Sequence, residues 1–369
     1  MGIKSLIALD VSYILGLVLL PLSTRFSELP LSKRVEATVK LVQRRGYALP
    51  LKTLSEWLMG GVEPEERVYE AVLAHEDLAI SSGLVHSLNF APERLAKSLQ
   101  RQALHHEHQQ QYWTEVERYV RALVQSTPQI RAVCLAGSMS AGGFVHSDDV
   151  DFNLFVASGT RYTSYLQANL QALGFSLRHR HRPTDAHTQR PLLPKLMSVN
   201  VIWTADQVRP FARHDSAMAL EIFLSKPLWG ESYFRDILGH NLWLKAYFPQ
   251  LFASKPSKSV VAIPLLRNAS LPPHPLLEKA SRWLTYRAWR WVMWTRRDNP
   301  EALARVAHIR RCQSPYGLFQ EKALSANTMR VNGLKKKVWA APSQQIILPG
   351  RVNVRSKGHD AQNGDYQSM

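Results

Sequence analysis

From Ser32 onward the apolar positions Val35, Val39, Leu41 and Val42 recur at helical spacing, which predicts an amphipathic helix ending at Gly46, where a left-handed cap is expected. After Pro50, the positions Leu51, Leu54, Trp57 and Leu58 predict a second, shorter helix closed by Gly60-Gly61. Val68, Val72 and Leu73 predict a third over 63–75, with Pro64 in its first turn. The pattern then shortens to two strand-like runs, 78–80 and 84–86, around Ser81-Ser82-Gly83. Pro92 to about Ser126 reads as one long polar helix acting as a connector. The apolar run 130–136 has strand length, a small-residue loop follows, and a second strand over 147–156 opens with carboxylates. A helix beginning at Arg161 and a strand over 197–203 come next. Beyond Pro272, Pro273 and Pro275 a helix runs from Leu276 to about Arg297, with Leu284, Ala288 and Trp291 at i, i+4 and i+7 as its expected buried stripe. After Ala340 the chain turns rich in Pro, Gly, Ser and Gln and is expected to be disordered.

Five stretches follow from this pattern: an apolar leader (1–31), a module of three helices and a hairpin (32–91), an α+β domain (92–250), a basic Trp/Arg-rich helical region (251–340) and the tail (341–369). Three helices and a hairpin in some sixty residues is the outline of a winged helix-turn-helix, a module that binds DNA or makes protein contacts. Val11 to Leu22 is apolar but shorter than the about 20 residues a bilayer span needs. Residues 5–22 are therefore read as a buried or poorly ordered leader helix, with membrane association the alternative.

The chain has 369 residues, 46 Lys+Arg and 29 Asp+Glu, for a formal charge of +17. With 45% hydrophobic and 20% charged residues it is ordinary globular material, and disorder throughout, collagen and coiled coil are excluded. The two cysteines, Cys134 and Cys312, provide neither a disulfide framework nor a Cys-based zinc site, so a reducing cytoplasm is the default setting. Residues 251–369 hold 20 Lys+Arg against 6 Asp+Glu, which separates the charge from the carboxylates of the middle domain. Such an excess suits a polyanionic partner, nucleic acid or an anionic membrane surface, or simply serves solubility. Arg282, Arg287, Arg290, Arg296 and Arg297 lie among Trp283, Trp289, Trp291 and Trp294, a mixture that stacks bases or sits at lipid headgroups where it is not buried. His105, His106 and His108, and the run from Arg178 to Arg182, complete no ligand set and read as solvated faces.

The chemistry lies between 130 and 156. Strand side chains alternate, so Asp149 and Asp151 share a face while Val150 takes the other. Two such carboxylates repel one another unless a cation sits between them, and oxygen ligands with substrate phosphates suit Mg2+. Gly137 lets the backbone approach a phosphate, and Ser138 offers a hydroxyl and an N–H to phosphate oxygens. Together these residues describe a site for a nucleoside triphosphate.

Gly137-Ser138, a gap, and Asp149-Val150-Asp151 in a strand–turn–strand setting resemble the signature of the polymerase-beta-type nucleotidyltransferase superfamily. The stretches Gly159-Thr160-Arg161, Lys195 to Val201, Ala219 to Ile222, Pro227 to Gly230, Asn241 to Trp243 and Phe248-Pro249 are similar to bacterial nucleotidyltransferase-domain proteins with a winged-helix-like module in front. In that module the matching turn is Tyr47-Ala48-Leu49-Pro50-Leu51. The resemblance spans about 33–250 and implies an α+β fold, a nucleotidyltransferase-like mixed sheet flanked by helices, with the winged-helix-like module before it and a helical region after it. It further implies transfer of a nucleoside monophosphate from a triphosphate to an acceptor hydroxyl, with pyrophosphate released and Mg2+ held by Asp149 and Asp151 as catalytic and metal-binding residues. Gly137, Ser138, Arg161 and Asn200 are the expected substrate contacts, Arg161 and Lys195 being equally readable as solvent-facing. Active members place a third carboxylate on a neighbouring strand, where this chain has Asn200. An amide cannot act as a strong anionic ligand or general base, which weakens a second metal position. Either Glu221 or Asp215 supplies the missing acid, or the protein binds nucleotide or nucleic acid without turnover in a regulatory role.

Overall fold

Pro30 and Gly46, the latter with φ +89°, bracket the first helix, α1 (Leu31–Gln43). Its face of Val35, Val39 and Val42 is buried. The computed structural model describes residues 26–183, 194–253 and 274–319. The leader through Arg25, the Pro272-Pro273 hinge and the tail thus lie outside the described residues. Strand β1 (Leu49–Pro50) leads directly into α2 (Leu51–Glu56), and α3 (Glu65–Leu73) follows with Glu65 and Glu66 in its first turn, where the helix dipole favours negative charge. Strands β2 (Leu78–Ser81) and β3 (Leu84–Ser87) pair antiparallel across Ser82-Gly83, both with positive φ as a two-residue hairpin turn requires. The small sheet has the order β1-β3-β2. The buried Arg34 holds this unit together by donating to the carbonyls of Met59 at 2.9 Å and Gly61 at 2.6 Å and to Glu63 Oε1 at 2.7 Å.

Helix α4 (Pro92–Ser126) is about 50 Å long. Near its start Ser98 and Gln102 bond to the backbone of Ala48, each at 3.1 Å. Its second half is more than a polar connector, since Tyr112, Val116, Tyr119, Val120 and Leu123 are buried against the larger sheet. That sheet contains β4 (Ile130–Ala136), β5 (Val150–Val156), β6 (Met197–Thr204) and β7 (Lys226–Trp229) in the order β6-β5-β4-β7, with β5 and β6 parallel and the other pairs antiparallel. A single turn, α5 (Gly137–Ser140), leaves the end of β4.

The two faces of the sheet are covered differently. Val150, Phe152, Leu154 and Val156 pack with α4 and α6 (Arg161–Arg178). Phe155, Trp203, Ala132 and Cys134 face α7 (Ser216–Phe223), α8 (Glu231–Gly239) and the three-helix unit. Full burial of side chains such as Phe155 and Trp203 stabilises the fold by about 1.5–3 kcal/mol each. The fold is therefore mixed α+β with two sheets, and among the described residues no helix is long and apolar enough to cross a membrane.

The C-terminal helices α10 (Pro275–Thr295) and α11 (Pro300–Gln313) come after a short α9 (Gln250–Ala253). The Glu278 carboxylate accepts from the backbone N–H groups of Tyr162 at 2.7 Å and Thr163 at 2.9 Å, capping the first turn of α6. Ser281 and Thr285 are the buried positions of α10. The stripe expected to be buried is on the outside, with Leu284 and Trp291 both exposed. The cause is the partner: the start of α6 needs a hydrogen-bond acceptor and close packing, which Glu278 and small side chains provide and a Trp/Leu stripe does not.

Candidate functional site

Asp149 lies one residue before β5, and Asp151, Asn153 and Phe155 follow it on the same face, the face of α7 and the three-helix unit. In the ladder Asp151 stands opposite Ala136 and beside Ser198. Gly137 has φ +62°, and a Cβ placed there would lie 2.3 Å from Asp151 Oδ2, so the glycine makes room for the carboxylate as well as for the bend. Ser138 is drawn to a different acid: its hydroxyl donates to Asp148 Oδ2 at 2.7 Å. Arg101 of α4 pairs with the same oxygen, and the Val145 N–H reaches it at 3.4 Å. Asp148 thereby ties together the bend, the loop and α4, directly beside the two carboxylates.

Burial first and the Asp149 charge second, with a smaller push from Glu221, raise the Asp151 carboxyl well above the usual carboxylate range, while Lys195 and the Ser198 hydroxyl pull it down. Lys195 Nζ donates to Ser198 Oγ at 2.7 Å, so a cation stands over this strand end.

A further acid, Glu221 of α7, adds its charge beside Asp151. The pairing of β5 with β6 shifts between Phe152 and Asn153, leaving Asn200 as an extra residue between Val199 and Val201. Its Nδ2 donates to Asn153 Oδ1 and to Glu221 Oε1, both at 2.9 Å, and Asn153 Nδ2 reaches that Glu221 oxygen at 2.9 Å. The other oxygen of Glu221 receives Arg45 from the three-helix unit at 3.0 Å. Asp215 is engaged at the start of α7: it caps the helix by accepting from the Met218 N–H at 2.8 Å and pairs with Arg213 at 2.5 Å. Tyr47, from the turn motif, also borders this acid; burial raises its phenol, Arg45 lowers it and Glu221 raises it.

Of the residues expected at the site, Gly137, Ser138, Asp149 and Asp151 gather at one end of the sheet, and Asn200 lies further in along β6, beside Asn153. Arg161 does not join them. It begins α6 beyond the far end of β5, about 20 Å along the strand, where it donates to the Tyr316 carbonyl. Three further contributors are residues that the sequence pattern assigns to solvated faces. His105 and His108, expected on a solvated face, turn inward, and their Nδ1 atoms accept from the N–H groups of Phe144 at 3.2 Å and His146 at 3.1 Å. Arg182, expected in a charged loop, is 8% exposed and donates to the carbonyls of His146 at 2.8 Å, Asp148 and Lys195 at 3.3 Å. All three brace the loop between the Gly-Ser bend and the acidic pair.

The donors suit a hard cation. Asp149 and Asp151 offer only oxygen; burial first and the Asp149 charge second raise the Asp151 carboxyl, and a divalent ion relieves the second. Among the described residues no three or more His, Cys, Asp or Glu side chains form a group that could hold a metal ion. Two carboxylates that leave room for substrate phosphates match the habit of Mg2+, which rarely uses an all-protein cage. No family model, curated protein or solved structure matches the chain.

Proposed function

We propose that the protein is a metal-dependent nucleotidyltransferase that moves a nucleoside monophosphate from a nucleoside triphosphate to an acceptor hydroxyl, releasing pyrophosphate. The observation carrying this reading is the fit of Gly137 to Asp151: the bend that would cradle phosphates is shaped around a carboxylate that shares its face with Asp149. Asp149 and Asp151 would hold Mg2+, which when bound stabilises the charge developing on the phosphoryl oxygens. The chain's own groups mostly position. Gly137 and Ser138 bring backbone and hydroxyl to the phosphates, with Asp148 and Arg101 setting the Ser138 rotamer. Lys195 sets a positive charge beside Asp151. Glu221, with both oxygens engaged, acts as a positioning residue for Asn153 and Asn200; the Asn200 backbone carbonyl accepts from Gln313 Nε2 at 2.7 Å, and its side-chain Oδ1 is the atom that would receive a substrate hydroxyl.

The test is pyrophosphate release from each of the four nucleoside triphosphates with Mg2+, repeated with Asp149→Asn and Asp151→Asn. Release abolished by either change supports the reading; release unaffected by both overturns it.

A second reading, a silent fold that binds nucleotide in a regulatory role, is favoured by one observation: β6 offers Ser198 and Asn200 but no carboxylate beside Asp151. It predicts Mg2+-dependent triphosphate binding without turnover. The sheet order β1-β3-β2 with three short helices supports a winged-helix-like reading of the N-terminal unit. Its third helix, however, carries Glu65, Glu66 and Glu70 against Arg67 and suits a protein partner better than the phosphates of duplex DNA. A cytoplasmic setting, where nucleoside triphosphates are available, belongs to the same proposal.

A further inference from the structure

Helix α10 is turned inside out relative to an ordinary surface helix. Its inward side is made of Glu278, Ser281 and Thr285, while Leu276 (71% exposed), Trp283 (57%), Trp291 (51%) and Trp294 (59%) face solvent together with Leu277 and Leu284. At 100° per residue, Leu276, Trp283, Arg287 and Trp294 fall within about 40° of one another, and Leu284 and Trp291 flank them. The result is an apolar ridge about 27 Å long from Leu276 to Trp294. The helix carries four cations, Lys279, Arg282, Arg287 and Arg290, and one carboxylate, Glu278, which is spent capping α6. Arg287 lies over the Trp283 ring at 5.4 Å, a guanidinium laid along the apolar surface with its charge kept at the edge.

We propose that this face of α10 docks on an anionic lipid bilayer, lying in the plane of the headgroups without spanning. Two observations select lipid. The ridge mixes aliphatic Leu276, Leu277 and Leu284 with the tryptophans; these leucines offer nothing to a base but fit the acyl boundary, while Trp prefers the interface. The charge facing outward is of one sign, complementary to acidic headgroups, and it becomes so because the only carboxylate of the helix is turned inward. The helix is anchored for this role: Glu278 ties its start to α6, and Tyr286 and Trp289 pack on Phe319 with ring centroids 5.3 and 6.0 Å away. The inference is independent of the transferase reading.

The experiment uses the full chain with vesicles of phosphatidylcholine alone and of phosphatidylcholine mixed with phosphatidylglycerol, followed by co-sedimentation and tryptophan emission. Binding is expected on the anionic vesicles only, with a blue shift, weakening as salt rises. The double change Trp283→Ser, Trp294→Ser and the double change Arg287→Glu, Arg290→Glu should each weaken it by about tenfold or more. Both pairs are exposed, and thermal melts identical to wild type establish that the variants fold. Equal binding to the two vesicle types, or binding that both double variants retain, overturns the proposal. So does an absence of vesicle binding alongside Trp283- and Trp294-dependent binding of single-stranded RNA, which would make nucleic acid the occupant.

Discussion

Arg45 of the N-terminal unit and Glu221 of α7 meet at 3.0 Å, so an acid that adds to the push on the Asp151 carboxyl is held from a separate part of the fold. The two residues are not equivalent. Glu221 Oε1 is the shared acceptor of Asn153, which is fully buried, and Asn200, whereas Arg45 closes the network at the partly exposed edge. Glu221→Ala should cost about 1–3 kcal/mol because buried amides lose an acceptor. Arg45→Ala should cost less than about 1 kcal/mol, as exposed ion pairs do. Urea denaturation of both variants is the check, and equal losses would mean that the amide network does not matter.

Asp151 makes the opposite kind of prediction, a substitution that stabilises. Its carboxyl is raised in the fold, so the folded state holds the proton more tightly than the unfolded chain. The contribution to stability is full below the ordinary value of 3.8 and is lost as pH rises through the folded value. At neutral pH in EDTA, Asp151→Asn should therefore melt above wild type, by on the order of 1 kcal/mol. Addition of Mg2+ should raise the melting temperature of wild type and leave the variant unmoved. A variant that melts below wild type in EDTA would show that the repulsion is already relieved within the protein.

Gly137→Ala tests the bend. The new Cβ meets Asp151 Oδ2 at 2.3 Å and its Cβ at 2.9 Å, and the backbone sits at φ +62°, so both strain and a clash are expected, at about 2–4 kcal/mol. Gly142 provides the matched control, having φ +80° but nothing within 4 Å of an added Cβ, and Gly142→Ala should cost only about 1–2 kcal/mol. Thermal melts with and without Mg2+ separate the cases: the Gly137→Ala variant should lose the cation's stabilisation and the Gly142→Ala variant should keep it.

The acidic pair was legible in the sequence because β5 beyond Asp151 is apolar apart from Asn153, which makes two carboxylates at its start stand out. The helices of the first unit were legible for the similar reason that Val35, Val39, Val68 and Val72 repeat at helical spacing. The bracing of the site was not. Arg101 meets Asp148 across 47 residues and Arg182 meets the Asp148 carbonyl across 34, contacts that leave no local periodicity. The orientation of α10 was misread for a physical reason as well: hydrophobicity alone points Trp291 inward, but the start of α6 presents N–H groups that only Glu278 satisfies, and this turns the Trp face out.

The loop before Asp149 should be sensitive to acid. His105 accepts the Phe144 N–H through Nδ1, and the Tyr112 hydroxyl meets His146 Nδ1 at 2.6 Å, so protonation of either ring at that nitrogen removes an acceptor. Burial first, with Lys226 and His106, lowers His105; burial first, with Arg182 and His108, lowers His146. Because the folded values lie below the ordinary 6.5, the unfolded chain takes up protons first, and stability falls as pH drops below about 6.5 toward the folded values. Each such proton steepens the fall by up to about 1.4 kcal/mol per pH unit. His105→Asn, which keeps an acceptor but not a titrating ring, should remove one proton's share of that slope and behave like wild type above pH 7. Denaturation midpoints at several pH values between 5 and 8 decide the matter. A difference between variant and wild type that stays constant across that range would mean that His105 does not titrate with unfolding, and the acid sensitivity of the loop would need another source.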